Sequence, residues 1–172
     1  MSDPGSAIRG LMRRAPQLVT VVTASGPDGP RGITVSSFIP VSLDPPLVLV
    51  SIMNSAQAHT AIAAGAFRVH LLASDQAGVS GHFAKPGLDS QAQFAAPFSD
   101  APGAGGSGDP PQLAGCIGWL ECATVGAYAE GDHTLFIGRV TEGRVERTEA
   151  APLLYYDRGY REVGGAPSDS SG

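Results

Sequence analysis

The chain has 172 residues, of which 42% are hydrophobic and 16% charged, and its net charge is −5. That composition fits one compact domain with its own core and excludes a disordered chain. Ten of the eleven basic residues are Arg, scattered apart from Arg13-Arg14, so there is no basic stripe for nucleic acid, and no apolar run of about eighteen residues predicts a membrane-spanning helix.

The amino terminus, MSDPGSAIRGLMRRAP, has no apolar stretch leading to a small-residue cleavage site, and a cytoplasmic protein is expected from that. Ser6 to Ala15 reads as a short amphipathic helix with Ile8, Leu11 and Met12 as its stripe and Pro16 as its stop. Gln17 to Ser25 has the β-branched density of a buried strand, and the following Gly-Pro-Asp-Gly-Pro is a turn. Two more strands are predicted, Gly32 to Ile39 and Leu47 to Met53, separated by Asp44-Pro45-Pro46. Ser55 to Gly65 predicts a helix, with Ser55 as N-cap and Gly65 as the stop.

Ala66 to Ala73 alternates as a strand, and Ser74 to Ala84 predicts a second short helix weakened by Gly78 and Gly81. Lys85 to Gln112 is rich in Pro and Gly and predicts a long surface loop, with a brief helical turn near Gln91 to Phe94. Strands return at Ala114 to Gly131 and His133 to Glu149, the latter with Glu142-Gly143 as its turn. Ala151 to Val163 closes the fold. The division is thus a helix over 1–16, a barrel over 17–163 carrying the 85–112 loop, and a polar tail over 164–172. Six to eight strands, short turns and two or three short helices, without βαβ alternation, argue for a mainly β, closed antiparallel barrel.

Several motifs carry no chemistry. Gly103 to Gly108 (GAGGSG) matches a dinucleotide fingerprint in letters, but neither a strand precedes it nor a helix follows. His59, His70, His82 and His133 lack the spacing of a helical metal site, so no metal is expected. No G-x-S-x-G elbow supports a serine hydrolase. Cys116 and Cys122, if both lie in one strand, share a face at ~20 Å separation, too far for a disulfide, and read as buried free thiols. With so few charges to cover the surface, an apolar self-association face and a homodimer are expected.

Two stretches stand out. Thr34, Ser36 and Ser37 place hydroxyls and no charge in a strand that is otherwise apolar. They fit either cross-strand hydrogen bonding or the lining of a polar ligand site. The next strand ends in Ser51 and runs into Asn54-Ser55 at a helix start, where free N–H groups would suit an anion. Gly131-Asp132-His133 opens an apolar strand, as either a plain turn or a placed histidine.

From Val19 to Tyr160 the order of these segments, above all SSFIPVSLDPPLVLVSI and GDHTLFIGRV, resembles the short-chain flavin reductase family, the reductase components of two-component flavin monooxygenases. The resemblance implies a six-stranded antiparallel split β-barrel of Greek-key type, a homodimer, and reduction of FMN or FAD by NADH or NADPH for a partner monooxygenase. It implies that Thr34, Ser36 and Ser37 meet the flavin ring edge, ribityl chain or phosphate. Ser51, Asn54, Ser55 and Gln57 would surround the phosphate, Gly81 and His82 would approach from another side, and His133 would face the nicotinamide. Many relatives carry Lys where this chain has Asn54, which implies weaker attraction for the phosphate. A non-enzymatic FMN-binding relay, or the same barrel holding haem or a pyridoxal-type phosphate, are the alternatives.

Overall fold

The computed structural model describes residues 3–95 and 109–164. The GAGGSG run at 103–108 and most of the expected tail lie outside them. Helix α1 (Pro4–Met12) starts two residues before the expected helix, because the Asp3 side chain accepts from Ser6 N–H at 3.0 Å and Pro4 occupies the first turn. Its apolar stripe is not buried: Ile8 is 65% and Leu11 72% exposed.

A small sheet is built from β1 (Gln17–Leu18), β9 (Leu154–Tyr156) and β10 (Gly159–Arg161), with β9 in the middle. Asp157 and Arg158, both at positive φ, make the two-residue turn between its last two strands.

The main sheet has seven strands: β2 (Thr20–Gly26), β3 (Gly29–Val35), β4 (Ile39–Leu43), β5 (Pro46–Met53), β6 (Ala66–Leu71), β7 (Gly118–Glu130) and β8 (His133–Val145). Their order is β3-β2-β6-β7-β8-β5-β4, and every pair is antiparallel. The fold is therefore mainly β, as expected, but the sheet is neither six-stranded nor closed by a strand ladder. The expected strand Gly32 to Ile39 breaks at Ser36–Phe38, and its far end becomes β4, an edge strand hairpinned to β5. Ser37 spans the gap: its Oγ donates to Ser51 C=O at 2.8 Å and accepts from Ser51 N–H at 3.1 Å.

Glu142-Gly143 is not a turn either. Both lie inside β8, and a Cβ at Gly143 would meet Leu120 Cδ2 at 2.5 Å, so this glycine admits a neighbouring side chain. The turn is Gly131-Asp132, with Gly131 at φ +63°.

Strand β2 is buried on both faces, which explains its β-branched run. Val22 and Ala24 join Val50, Ile52, Phe67 and Phe136 in one core, while Val19 and Val21 join Leu72, Phe83, Leu113 and Leu153 in another. Helix α2 (Ala58–Ala63) plugs one end of the first core with Ala58, Ala61 and Ile62. It is shorter than expected: Gln57, not Ser55, stands at its N-cap, without a side-chain cap bond. A 3-10 turn (Ser74–Gln76) leads into α3 (Ala77–Phe83). Helix α4 (Ser90–Gln93), capped by Asp89, sits one residue before the helical turn expected in the long loop.

The proline-rich return from that loop is strapped to β2 and β6 by side chains, because Pro110 and Pro111 have no N–H to offer a ladder. Ser25 Oγ donates to Asp109 C=O at 2.7 Å, Arg68 Nη1 to Pro110 C=O at 2.9 Å, and Thr23 Oγ1 to Pro111 C=O at 2.7 Å. Leu113 N–H donates to His70 Nε2 at 3.2 Å, so His70 carries its proton on Nδ1 and donates it to Val21 C=O. Cys116, just ahead of β7, and Cys122 within it are buried free thiols, both pushed up to about 12 by burial.

Burial lowers His70 to about 3. Below pH ~6.5 the unfolded chain binds a proton that the folded protein refuses, so stability falls as pH falls from about 6.5 towards 3. Urea unfolding at pH 7 and pH 5 should show the wild type losing about 2 kcal/mol more than the His70→Gln variant over that interval; equal losses would disprove the assignment.

Candidate functional site

Two neighbouring clefts flank the C-terminal end of α3. One, of about 230 Å³, is lined by Thr34, Val35 and Ser36 of the β3 end, Ser80 and Ala84 of the α3 region, and Tyr160. The other, of about 310 Å³, is lined by residues including Gly32, Met53, Ser55, Gln57, Phe83 and Lys85. Ala84 lines both. Among the described residues, Lys85 is the sole charged side chain in either lining, and no carboxylate lines them.

The clefts exist because of how α3 and α4 sit on β3. The Gln93 side chain treats Gly32 as a strand would: Gly32 N–H donates to Gln93 Oε1 at 3.0 Å, and Gln93 Nε2 donates to Gly32 C=O at 3.1 Å. The Phe83 ring lies on Gly32, where a Cβ would meet it at 2.5 Å. Thr34 Oγ1 donates to Ser80 C=O at 2.8 Å, and Tyr160 Oη donates to Ser80 Oγ at 2.9 Å. His82 is buried, its Nε2 3.0 Å from Gln93 C=O, and it tethers α4 to α3.

A third element borders the second cleft. His133 is the ladder partner of Met53, which lines that cleft, so the Gly131–His133 turn stands one strand spacing from its wall. His133 Nδ1 is 2.6 Å from Asp132 Oδ1. That hydrogen bond first, and the charge of His133 second, hold the Asp132 carboxyl below its ordinary range. Asn54 fastens the turn to the end of β5, its N–H donating to Asp132 C=O at 2.9 Å.

The expected site residues thus fall into distinct sets. Thr34 and Ser36 share the first cleft, and Ser55 and Gln57 line the second. Ser37 and Ser51 are bonded to each other. Of the three β3-end hydroxyls, only that of Ser36 makes no hydrogen bond among the described residues; Thr34 and Ser37 use theirs to hold α3 and β5. Asn54 binds the neighbouring turn and does not line either cleft. Gly81 and His82 lie on α3, with His82 turned towards α4.

Sequence reasoning missed Lys85, Gln93 and Tyr160. Lys85 had a signal, being the single lysine of the chain. Gln93 and Tyr160 had none, since their partners are distant in sequence.

Residues 12–164 match the family model described as flavin reductase like domain. The chain is 38% identical over 138 residues to the FMN reductase (NADH) SmoA of Agrobacterium fabrum, covering 80% of this chain and 74% of that protein. Among solved structures it is similar to an NADH:FAD oxidoreductase of Streptomyces globisporus, with a TM-score of 0.81 and 34% identity over 96% of this chain and 98% of the other. It is also similar to the styrene monooxygenase flavin reductase of Pseudomonas putida, with a TM-score of 0.75 and 31% identity over 92% and 97%.

Removing the Ser37 hydroxyl takes away the partners of both Ser51 backbone groups at the open side of the sheet. Ser37→Ala should lower unfolding free energy by about 1–2 kcal/mol, read from urea midpoints. An unchanged midpoint would show that water replaces the hydroxyl without cost.

Proposed function

The chain belongs to the flavin reductase-like family, and from that premise we propose that it is an NAD(P)H:flavin oxidoreductase that reduces FMN or FAD and supplies reduced flavin to a partner monooxygenase. The observation that carries this reading is the paired cleft which, among the described residues, is lined with hydroxyls and one ammonium group and with no carboxylate. When bound, the flavin accepts a hydride from the nicotinamide, and the two cofactors carry that chemistry themselves. The chain has to hold two flat rings against each other, exclude competing contacts and favour the negative charge that the flavin gains. A carboxylate in the wall would oppose that charge; hydroxyls, backbone N–H groups and Lys85 favour it.

In this reading Ser36, Ser55 and Gln57 face the flavin, and Lys85 supplies the phosphate attraction that Asn54 does not. Thr34, Ser37 and Ser51 shape the wall by holding its backbone in place. Gly81 and His82 keep α3 and α4 over β3. His133, its Nδ1 committed to Asp132, presents Nε2 to the nicotinamide. The family's split barrel is the finer description of the open seven-stranded sheet, with the Ser37–Ser51 contact at its seam. A homodimer would cover the exposed edge strand β4, where Ile39, Val41 and Leu43 face outward and Leu43 is 91% exposed. Sedimentation at micromolar concentration should return twice the chain mass; the chain mass alone would remove the dimer from this reading.

The decisive assay follows loss of the reduced-nicotinamide absorbance with FMN, FAD or riboflavin added. NADH consumption should require flavin. His133→Ala should lower NADH turnover by about 10- to 100-fold through misplacement, and Lys85→Ala should weaken FMN binding by about tenfold. Flavin binding without NADH consumption would favour a non-enzymatic flavin carrier, and an unchanged His133→Ala variant would end the role given to that residue.

A further inference from the structure

A hydrogen-bond chain behind the Gly131–His133 turn has no part in the reading above. Thr134 is buried at the start of β8, and its single hydroxyl proton goes to Asn54 Oδ1 at 2.8 Å. His59 Nε2 lies 2.9 Å from the same Thr134 Oγ1. The threonine proton is already committed, so His59 Nε2–H is the donor there. Asn54 then reaches the turn twice. Its N–H donates to Asp132 C=O at 2.9 Å, and its Nδ2 donates to Gly131 C=O over a long 3.5 Å. The direction of every bond in the series from α2 to the turn is therefore fixed. The His59 ring is itself held by an edge contact with Phe136 of the core, at 5.1 Å between centroids.

We propose that His59, Thr134 and Asn54 are positioning residues that fix the Gly131–His133 turn so that His133 meets the nicotinamide, and that Asn54 serves this purpose in place of binding the flavin phosphate. The proposal rests on the reductase reading for the role of His133. The anchoring itself rests only on the distances above. The logic is steric. The turn ends a long two-stranded hairpin, is exposed, and has Gly131 at positive φ, so β7 and β8 alone leave its tilt weakly determined. A directional chain, rooted in the buried Thr134 and ending on the two carbonyls before His133, removes that freedom, and a reactant misplaced by about 1 Å costs on the order of a hundredfold.

The test uses Thr134→Val, which keeps the branched shape and removes both bonds, with His59→Leu, His59→Gln and Thr134→Ser beside it. Hydrogen exchange at the Asn54 amide reads the anchor without any activity. Steady-state kinetics read the positioning. In Thr134→Val and His59→Leu, Asn54 exchange should rise about tenfold. The kcat for NADH oxidation should fall about tenfold, in the same direction as His133→Ala, with flavin affinity unchanged. His59→Gln, whose amide can still donate to Thr134, and Thr134→Ser should restore both readouts. Unchanged exchange would overturn the anchor. Faster exchange with an unchanged kcat, or loss of flavin affinity in parallel, would overturn the positioning role. If the wild type consumes no NADH, the reductase reading falls while the exchange data still decide whether the chain holds the turn.

Discussion

Strand β3 carries backbone donors and acceptors along an edge that no other strand among the described residues covers. An unpaired edge is costly if buried and hazardous if exposed. Here one amide side chain covers the critical position, Gln93 matching both the N–H and the C=O of Gly32. Because that glycine has no Cβ, Phe83 can lie directly on it and bring α3 down to the strand. Thr34 then fastens α3 from the strand side. The two clefts are the space left on either side of this contact, and they share Ala84 for that reason. The site is a by-product of how an open sheet edge is closed, and for that reason most of its hydroxyl-bearing residues are structural as well.

Charge is handled in a consistent way throughout the described residues. His70 is buried with a fixed tautomer and is neutral, and both thiols are held protonated by burial. The partly buried ion pair is Arg68–Glu121, and the Arg68 guanidinium also lies over the Trp119 ring at 4.9 Å and donates to Pro110. Its network straps the proline-rich return to the sheet, well apart from the clefts in sequence and lining. Among the described residues no acidic side chain lines either cleft, and the Asp132 carboxylate near the second is turned to His133. A wall of this kind tolerates a ligand that becomes more negative, which a carboxylate-lined wall does not.

The sequence made some of this legible and hid the rest for identifiable reasons. The Thr34, Ser36, Ser37 cluster was visible because hydroxyls without charges are unusual in so apolar a strand. The internal commitment of Thr34 and Ser37 was invisible, since Ser80 lies 46 positions away and Ser51 14. The β-branched run of β2 announced a buried strand, and the structure shows it buried on both faces. Glu142-Gly143 misled because glycine marks turns and close approaches alike, and only the position of Leu120 shows which applies. Ser55 looked like a helix cap by residue type, yet Met53 C=O takes the Ala56 N–H in a tight turn and delays the helix to Ala58, leaving Ser55 for the cleft.

The hairpin β7–β8 shows how the fold divides placement from orientation. Its thirteen-residue strands are paired along their length, with one bulge in β8 at Thr141 and one in β7 at Val125, and they carry the Gly131–His133 turn out to the end of β5. Backbone pairing of this kind sets where the turn arrives, because register admits no small adjustment: a slip of one residue would send His133 to the opposite face. It does not set the tilt of the turn, which lies beyond the last paired residues. That degree of freedom is removed from the side, by Asn54 at the end of a different strand, supported in turn by a threonine buried in β8 and a histidine on α2. Residues of β5, β8 and α2 therefore act together on two carbonyl groups, and the point where they do so lies beside the cleft whose wall Met53 helps to form.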